Sequence, residues 1–590
     1  MEAHACADCS FDHALDLNKE GFSPLAAPEQ FIRHLRDVFG DRFLRYLGMT
    51  YFGLKGIAFA LLSSAMLPYF QLMGVSGNGF QLASVVARIP WSMKGMVGVL
   101  SDCFPLGRYH KRGYLLVASF VGCCGFASLA LLPIQSLGPD QVWFVASLFC
   151  ACNVLISTFD LLCEGKYSEM MRVSGAGSEV LTLVWTCMQA GALLAALITG
   201  LFVDTTGPQP LLALCLPIAA LALWRTLAGD LPEQPRRSWA SLRFKVRSQP
   251  RLFLLAFAMA FGGLLVAVAV VHLDGQGRAA VACAVSGVLI VGSFLSLPPT
   301  LAKGNLYMFL TSLAYMDVTG PLAYFYTGGT QCIEDGPHFS YSYYLAVSNV
   351  VGAAGSMLGA VLFQGMQDWT FQGAFLVTTF IQIFASVFDL MIVYRLNVAL
   401  GISDAAAYLF GDAACQSMAS MMAIMPMAML TARLCPRGAE ATVFAILAGF
   451  QNFGSSVGSI IGVQLTTYFK VEASAPGPCN FEGLGNLLIL AHVISPLLCL
   501  PFIYFLVPSS RMNDTVAFDI ASPAPSFCSP NASPPGSPRL TPISSPLLSP
   551  GAGSEVGGNL VLNGLHDTND YCLMEAEDEE ASGSMRRPFR

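Results

Sequence analysis

Residues 88–116 read RIPWSMKGMVGVLSDCFPLGRYHKRGYLL, and this stretch decides the fold. An apolar helix carries the pair Pro90-Trp91, reaches a carboxylate at Asp102, turns through Pro105 and Gly107, and gives way to a second apolar run after Lys111 and Arg112. A charged side chain costs at least ~2.5 kcal/mol at the middle of a bilayer, so the charges mark a loop and the flanking apolar runs mark two crossings.

Outward from this hairpin the same alternation recurs along the whole chain. Of its 590 residues 54% are hydrophobic and only 12% charged, against roughly 25% charged in soluble domains. This is the composition of a polytopic membrane protein. The formal net charge of −7 says little about partners, because an acidic cluster (Glu575, Glu577, Asp578, Glu579, Glu580) sits near the end. Apolar segments of about 20 residues, enough to cross the hydrocarbon core, are expected at 48–70, 79–101, 113–133, 141–163, 177–203, 209–228, 251–272, 279–299, 305–327, 341–364, 370–394, 403–431, 441–468 and 484–507, about fourteen crossings in all.

Lysine and arginine concentrate in the gaps after even-numbered spans, at Arg108, Lys111, Arg112, Lys166, Arg172, Arg236, Arg237, Arg243, Lys245, Arg247, Arg433 and Arg437. Gaps after odd-numbered spans hold only Arg278, Arg395 and Lys470. The positive-inside rule therefore predicts that the even gaps and both termini are cytosolic.

The expected organisation begins with a cytosolic N-terminal segment (1–47) in which Phe31, Leu35, Val38, Phe39 and Phe43 recur at helical spacing, as in a helix lying in the headgroup plane. A six-helix bundle (48–228), a basic cytosolic loop (229–250), two inserted spans (251–299) and a second six-helix bundle (305–507) come next. The Ser/Pro-rich tail (508–590) cannot build a core and is expected to be a disordered cytosolic segment.

Most of the 18 cysteines lie in apolar runs and read as small buried hydrophobes. Cys332 and Cys479 differ, each lying in a polar segment on the non-cytosolic side, where they are candidates to pair. Cys6-x-x-Cys9, flanked by His4 and His13, has no second pair at zinc-finger spacing. No metal or other cofactor is expected. No cleavable signal pattern opens the chain.

The pattern Gly98, Asp102, Gly107, Arg108, Lys111, Arg112 between the second and third spans resembles the loop signature of the major facilitator superfamily. PWSMKGMVGVLSD, followed by FP and RYHKR, is similar to the folate-biopterin transporter family within it. DLLCEGKYSEMMR at 160–172 and LCPRGAEATVFAILAGFQNFGSSVGSIIG at 434–462 support the same family, so the resemblance spans residues 48–507. It implies an all-α polytopic protein of the major facilitator type, two six-helix bundles plus an inserted helix pair, about 14 crossings. It further implies secondary active transport of folate- or biopterin-type pteridines by alternating access, with protons as a coupling partner. The partners are then a small molecule and the bilayer, with no nucleic acid, and the plasma membrane is the expected location.

Ionisable residues inside apolar spans are the candidates for function. Lys55, Arg88, Trp91 and Lys94 in the first half, and Asp317, Tyr324, Asp389 and Asp412 in the second, are the candidate substrate contacts. Carboxylates match the amino edge of a pterin ring, and cations match the glutamyl carboxylates of folate. Tyr324 reads equally as an interfacial belt residue, and the cations as members of an internal salt-bridge network.

Asp160 and Glu164 are four residues apart and share a helix face. Either they bind and release a proton, or they pair with Lys166, Arg172 or the loop around Arg108 to lock the cytosolic gate. Asp102, Arg108 and Arg112, with Arg437 and Glu440 as second-half counterparts, complete the expected gate.

No Walker A sequence is present, which argues against ATP-driven pumping. Histidines are scattered rather than clustered, which argues against an integral membrane enzyme. A carrier of another metabolite such as S-adenosylmethionine, whose cation would engage the carboxylates, and a non-transporting nutrient receptor remain as alternatives.

Overall fold

A computed structural model describes residues 27–174, 177–233, 250–434, 440–474 and 479–513. The Cys6-x-x-Cys9 segment and the tail beyond residue 513 lie outside the described residues, as does Arg437. Helices occupy every expected span. Among the described residues, eleven are single helices long and apolar enough to cross a membrane. The second and ninth spans fall outside that set because each is broken, the second into Gly77–Ser92 and Lys94–Cys103, the ninth into Pro299–Ala314 and Thr319–Thr327. The twelfth also falls outside it and runs through Asp404–Tyr408, Leu409–Gln416 and Ser417–Leu434.

Within the first half the first span packs on the fifth and sixth, the second on the fourth, and the third on the fourth and sixth. In the second half the ninth packs on the thirteenth and fourteenth, and the twelfth on the tenth and eleventh. The halves meet where the second span crosses the thirteenth and the fifth crosses the tenth. The inserted pair, Pro250–His272 and Gly275–Ser296, packs against the second and thirteenth spans and so covers that seam.

Small residues let these helices approach. A Cβ at Gly454 on the thirteenth span would lie 2.7 Å from the Phe309 carbonyl oxygen of the ninth, and one at Gly462 would collide with the Asp317 carbonyl oxygen. The glycine stripe in the 434–462 segment is therefore a packing face.

One feature differs from the sequence expectation. The first crossing helix begins at Asp41 rather than near residue 48. The amphipathic helix Ala27–Phe39 buries Leu35 and Phe39 of its apolar stripe against the bundle core.

Cys332 and Cys479 form a disulfide that ties the loop after the ninth span to the loop after the thirteenth. On this face the halves are also bonded to each other. Gly77 N–H donates to the Ala473 carbonyl at 2.8 Å, Gln71 Nε2 donates to Thr327 Oγ1 at 3.0 Å, and the Tyr324 hydroxyl donates to the Val75 carbonyl.

Candidate functional site

The break in the ninth span exposes backbone groups at membrane depth, which is tolerated only where protein or a cavity satisfies them. Gln81, from the second span and 1% exposed, supplies most of the partners. Its Nε2 donates to the Asp317 carbonyl at 2.5 Å and the Ser459 carbonyl at 2.9 Å, while its Oε1 accepts the Gly320 N–H at 2.9 Å. The Asp317 side chain caps the second half-helix, Oδ1 accepting the Thr319 N–H at 2.9 Å and Oδ2 accepting the Ser459 hydroxyl at 2.9 Å. His492 Nε2 donates to the Met316 carbonyl at 3.1 Å.

The broken helix borders a cavity of about 550 Å³ between the two halves, within the usual 300–1,000 Å³ of ligand pockets. Five of the sequence candidates line it: Arg88, Trp91, Asp317, Asp389 and Asp412. Arg88 projects into it exposed and, among the described residues, makes no ion pair or hydrogen bond. Trp91 forms a wall with Phe59, their ring centroids 5.3 Å apart. Its indole N–H donates to Asn153 Oδ1 at 2.8 Å, which fixes the ring's rotation.

Lys55, Lys94 and Tyr324 do not line the cavity. Lys55 Nζ and Lys94 Nζ lie 2.6 and 2.5 Å from Asp160 Oδ2, and both ammonium groups sit over the Trp91 ring, 4.2 and 4.5 Å from its centroid. Asp160 is thus paired across the first, second and fourth spans rather than with Lys166 or the Arg108 loop. Glu164, one turn along, lies within electrostatic reach of all three. Tyr324 is buried on its bond to Val75.

Of the expected gate residues, Arg112 is held within the first half. Glu233 accepts the backbone N–H groups of Lys111 and Arg112 at 2.7 and 3.0 Å, and the Arg112 guanidinium donates to the Leu227 carbonyl. These bonds cap the third span with a carboxylate from the loop after the sixth, all inside the first half. Arg108 is exposed on the turn. Glu440 opens the thirteenth helix, its side chain outside the described residues.

The sequence candidates omit Gln416, Asn452 and His492, which also line the cavity. Gln416 Nε2 donates to the Tyr315 hydroxyl at 2.7 Å, leaving Oε1 unpartnered. Gln416 and Asn452 are uncharged and give no signal among charges in apolar runs. His492, alone in LLILAHVIS, was the visible signal, since a histidine at membrane depth is as unusual as a carboxylate. Both Gln416 and His492 sit on π-helical segments, Leu409–Gln416 and Ile489–Ile494, an irregularity that gathers at functional sites.

Two helical bundles enclosing one polar cavity at the level of a broken helix define a membrane carrier of the major facilitator type. Solved structures share this fold. A POT family transporter in complex with 5-aminolevulinic acid aligns with a TM-score of 0.57 at 13% identity, covering 81% of this chain and 98% of the other. The inward-open xylose transporter XylE from E. coli aligns at 0.50 and 12% identity, covering 80% and 97%.

The BT1 family pattern matches residues 55–523, and the chain belongs to the BT1 family. Among curated relatives, the probable folate-biopterin transporter 6 of Arabidopsis thaliana is 23% identical over 450 residues, 75% of this chain and 77% of its own length. The folate-biopterin transporter of Synechocystis sp. is 22% identical over 444 residues, 73% and 75%.

Proposed function

We propose that this protein is a secondary carrier of folate- and biopterin-type pteridines, working by alternating access. The observation that carries the reading is Arg88. It is an unpaired cation facing a cavity whose opposite wall bears Asp389, Asp412 and the free Gln416 Oε1. A flat bicyclic ring stacks on the Phe59–Trp91 wall, its amino and ring N–H edge donates to the free Gln416 Oε1 opposite, and a glutamyl carboxylate meets the guanidinium. The names of the family relatives point to the same substrate class.

Lys55, Asp160 and Lys94 act as a positioning group behind Trp91 in this reading. Bonds between the halves on the disulfide face support a cavity that opens toward the turn at 102–112. The basic residues of that turn support cytosolic termini, and the disulfide supports an oxidising compartment opposite, as at a plasma membrane.

Uptake of labelled folate, biopterin and S-adenosylmethionine into cells lacking their own carriers tests the assignment. Saturable accumulation of either pteridine, with mutual competition, is expected. Uptake of S-adenosylmethionine alone overturns it, and surface binding without time-dependent accumulation marks a receptor instead.

A further inference from the structure

We propose that Asp389 and Asp412 form the site of the coupling proton, which enters and leaves through the cavity. This rests on the carrier reading above. Asp389 is 4% exposed, and its Oδ1 accepts the Tyr326 hydroxyl at 2.6 Å. Asp412, on the π-helical segment of the twelfth span, lies within electrostatic reach of Asp389. Both line the cavity.

The other ionisable groups facing the pair are Tyr315 from the ninth span and Tyr344 from the tenth, both phenols. Among the described residues, neither carboxylate has a lysine or arginine partner. A carboxylate held at membrane depth without a cation partner is costly to keep charged, and a proton taken up from the cavity removes that cost.

His492 is the independent observation. Its Nε2 donates to a carbonyl, so Nδ1 is the acceptor nitrogen, and that atom is buried without a partner. The ring is 7% exposed, lines the same cavity, and stacks 4.4 Å from Tyr315, which lies within electrostatic reach of both aspartates. An unpartnered acceptor at that place is a relay between the cavity and the pair. Asp160 differs, since two lysines already neutralise it.

The test uses the full chain in proteoliposomes, labelled biopterin as an uncharged substrate, and a pH dye in the lumen. At one proton per substrate, a gradient of about one pH unit sustains roughly tenfold accumulation by the wild type. In Asp389→Asn and Asp412→Asn, biopterin is expected only to equilibrate, and lumenal acidification per biopterin is lost. A mere substrate contact would raise KM and keep the proton-to-biopterin ratio. Tyr326→Phe, which keeps both carboxylates, is expected to move the pH profile of uptake, and serves if the aspartate variants fail to insert.

An unchanged ratio in the asparagine variants, an unmoved profile in Tyr326→Phe, or a sodium gradient driving the wild type overturns the proposal. So does loss of the ratio in Glu164→Gln alone. A wild-type chain that moves no pteridine overturns the carrier reading as well; one that moves biopterin with the ratio intact in the variants overturns only this site.

Discussion

The Asp204 carboxylate, just past the fifth span, accepts the backbone N–H of Ser342 at 2.9 Å and that of Tyr341 at 2.9 Å, and so caps the tenth span of the opposite half. Helix N-termini carry unsatisfied donors and a partial positive charge, which makes this carboxylate a latch between the halves. Asp204→Ala is expected to weaken closure by about 1–2 kcal/mol. That shifts the population open on the disulfide face by roughly 5–30-fold. Labelling of a cysteine introduced at Ser456, in the cavity wall, by an impermeant thiol reagent reads the change, against a background lacking reactive thiols. Labelling equal to that of the unmutated latch would remove Asp204 from the closure.

Arg88 has nothing to hold in the substrate-free protein, so its removal acts on the ligand rather than on the fold. A charge-assisted hydrogen bond contributes about 1.5–3 kcal/mol. Arg88→Ala is therefore expected to raise KM for folate roughly tenfold or more, and to affect uncharged biopterin much less. Equal losses for both in uptake assays would mean that Arg88 shapes the cavity without reading a carboxylate.

Asp160 joins three spans through two lysines, with side chains 9%, 11% and 18% exposed for Asp160, Lys94 and Lys55. Asp160→Asn leaves two ammonium groups facing each other without an anion, which is expected to cost about 3–5 kcal/mol. A large fall in Tm of the purified protein checks this. Combining it with Lys55→Met and Lys94→Met removes all three charges and is expected to restore much of the loss. If Asp160→Asn alone leaves Tm unchanged, the cluster is not what holds these spans.

The order and number of spans were legible because an apolar run of about 20 residues has few physical outcomes other than crossing a membrane. The rotation of each helix was not. Lys55, Lys94 and Arg88 carry the same kind of signal in sequence, yet packing turns the first two onto Asp160 and only Arg88 into the cavity. Each π-helical insertion adds a residue and rotates the rest of its helix by about 100°, which no 3.6-residue periodicity anticipates for Gln416 or His492. Asp317 was legible as a carboxylate inside an apolar span, but its engagement by Ser459 depends on a neighbouring helix far away in sequence.

Gln81 offers the sharpest test of how the broken ninth span is held, because it bonds both sides of the break, the Asp317 carbonyl and the Gly320 N–H, and ties them to the Ser459 carbonyl of the thirteenth helix. Gln81→Leu keeps the bulk but strands the Gly320 N–H and the Asp317 carbonyl, at about 1–3 kcal/mol for each group that finds no water. Gln81→Glu retains an acceptor for Gly320 but presents oxygen to the Asp317 and Ser459 carbonyls, so it is expected to fare no better. Both variants should lower Tm and weaken pteridine binding together, since Asp317 and Tyr315 border the same break. A glutamate variant as stable as the wild type would show that acceptance from Gly320 alone holds the break, and that the two carbonyls are satisfied without the amide.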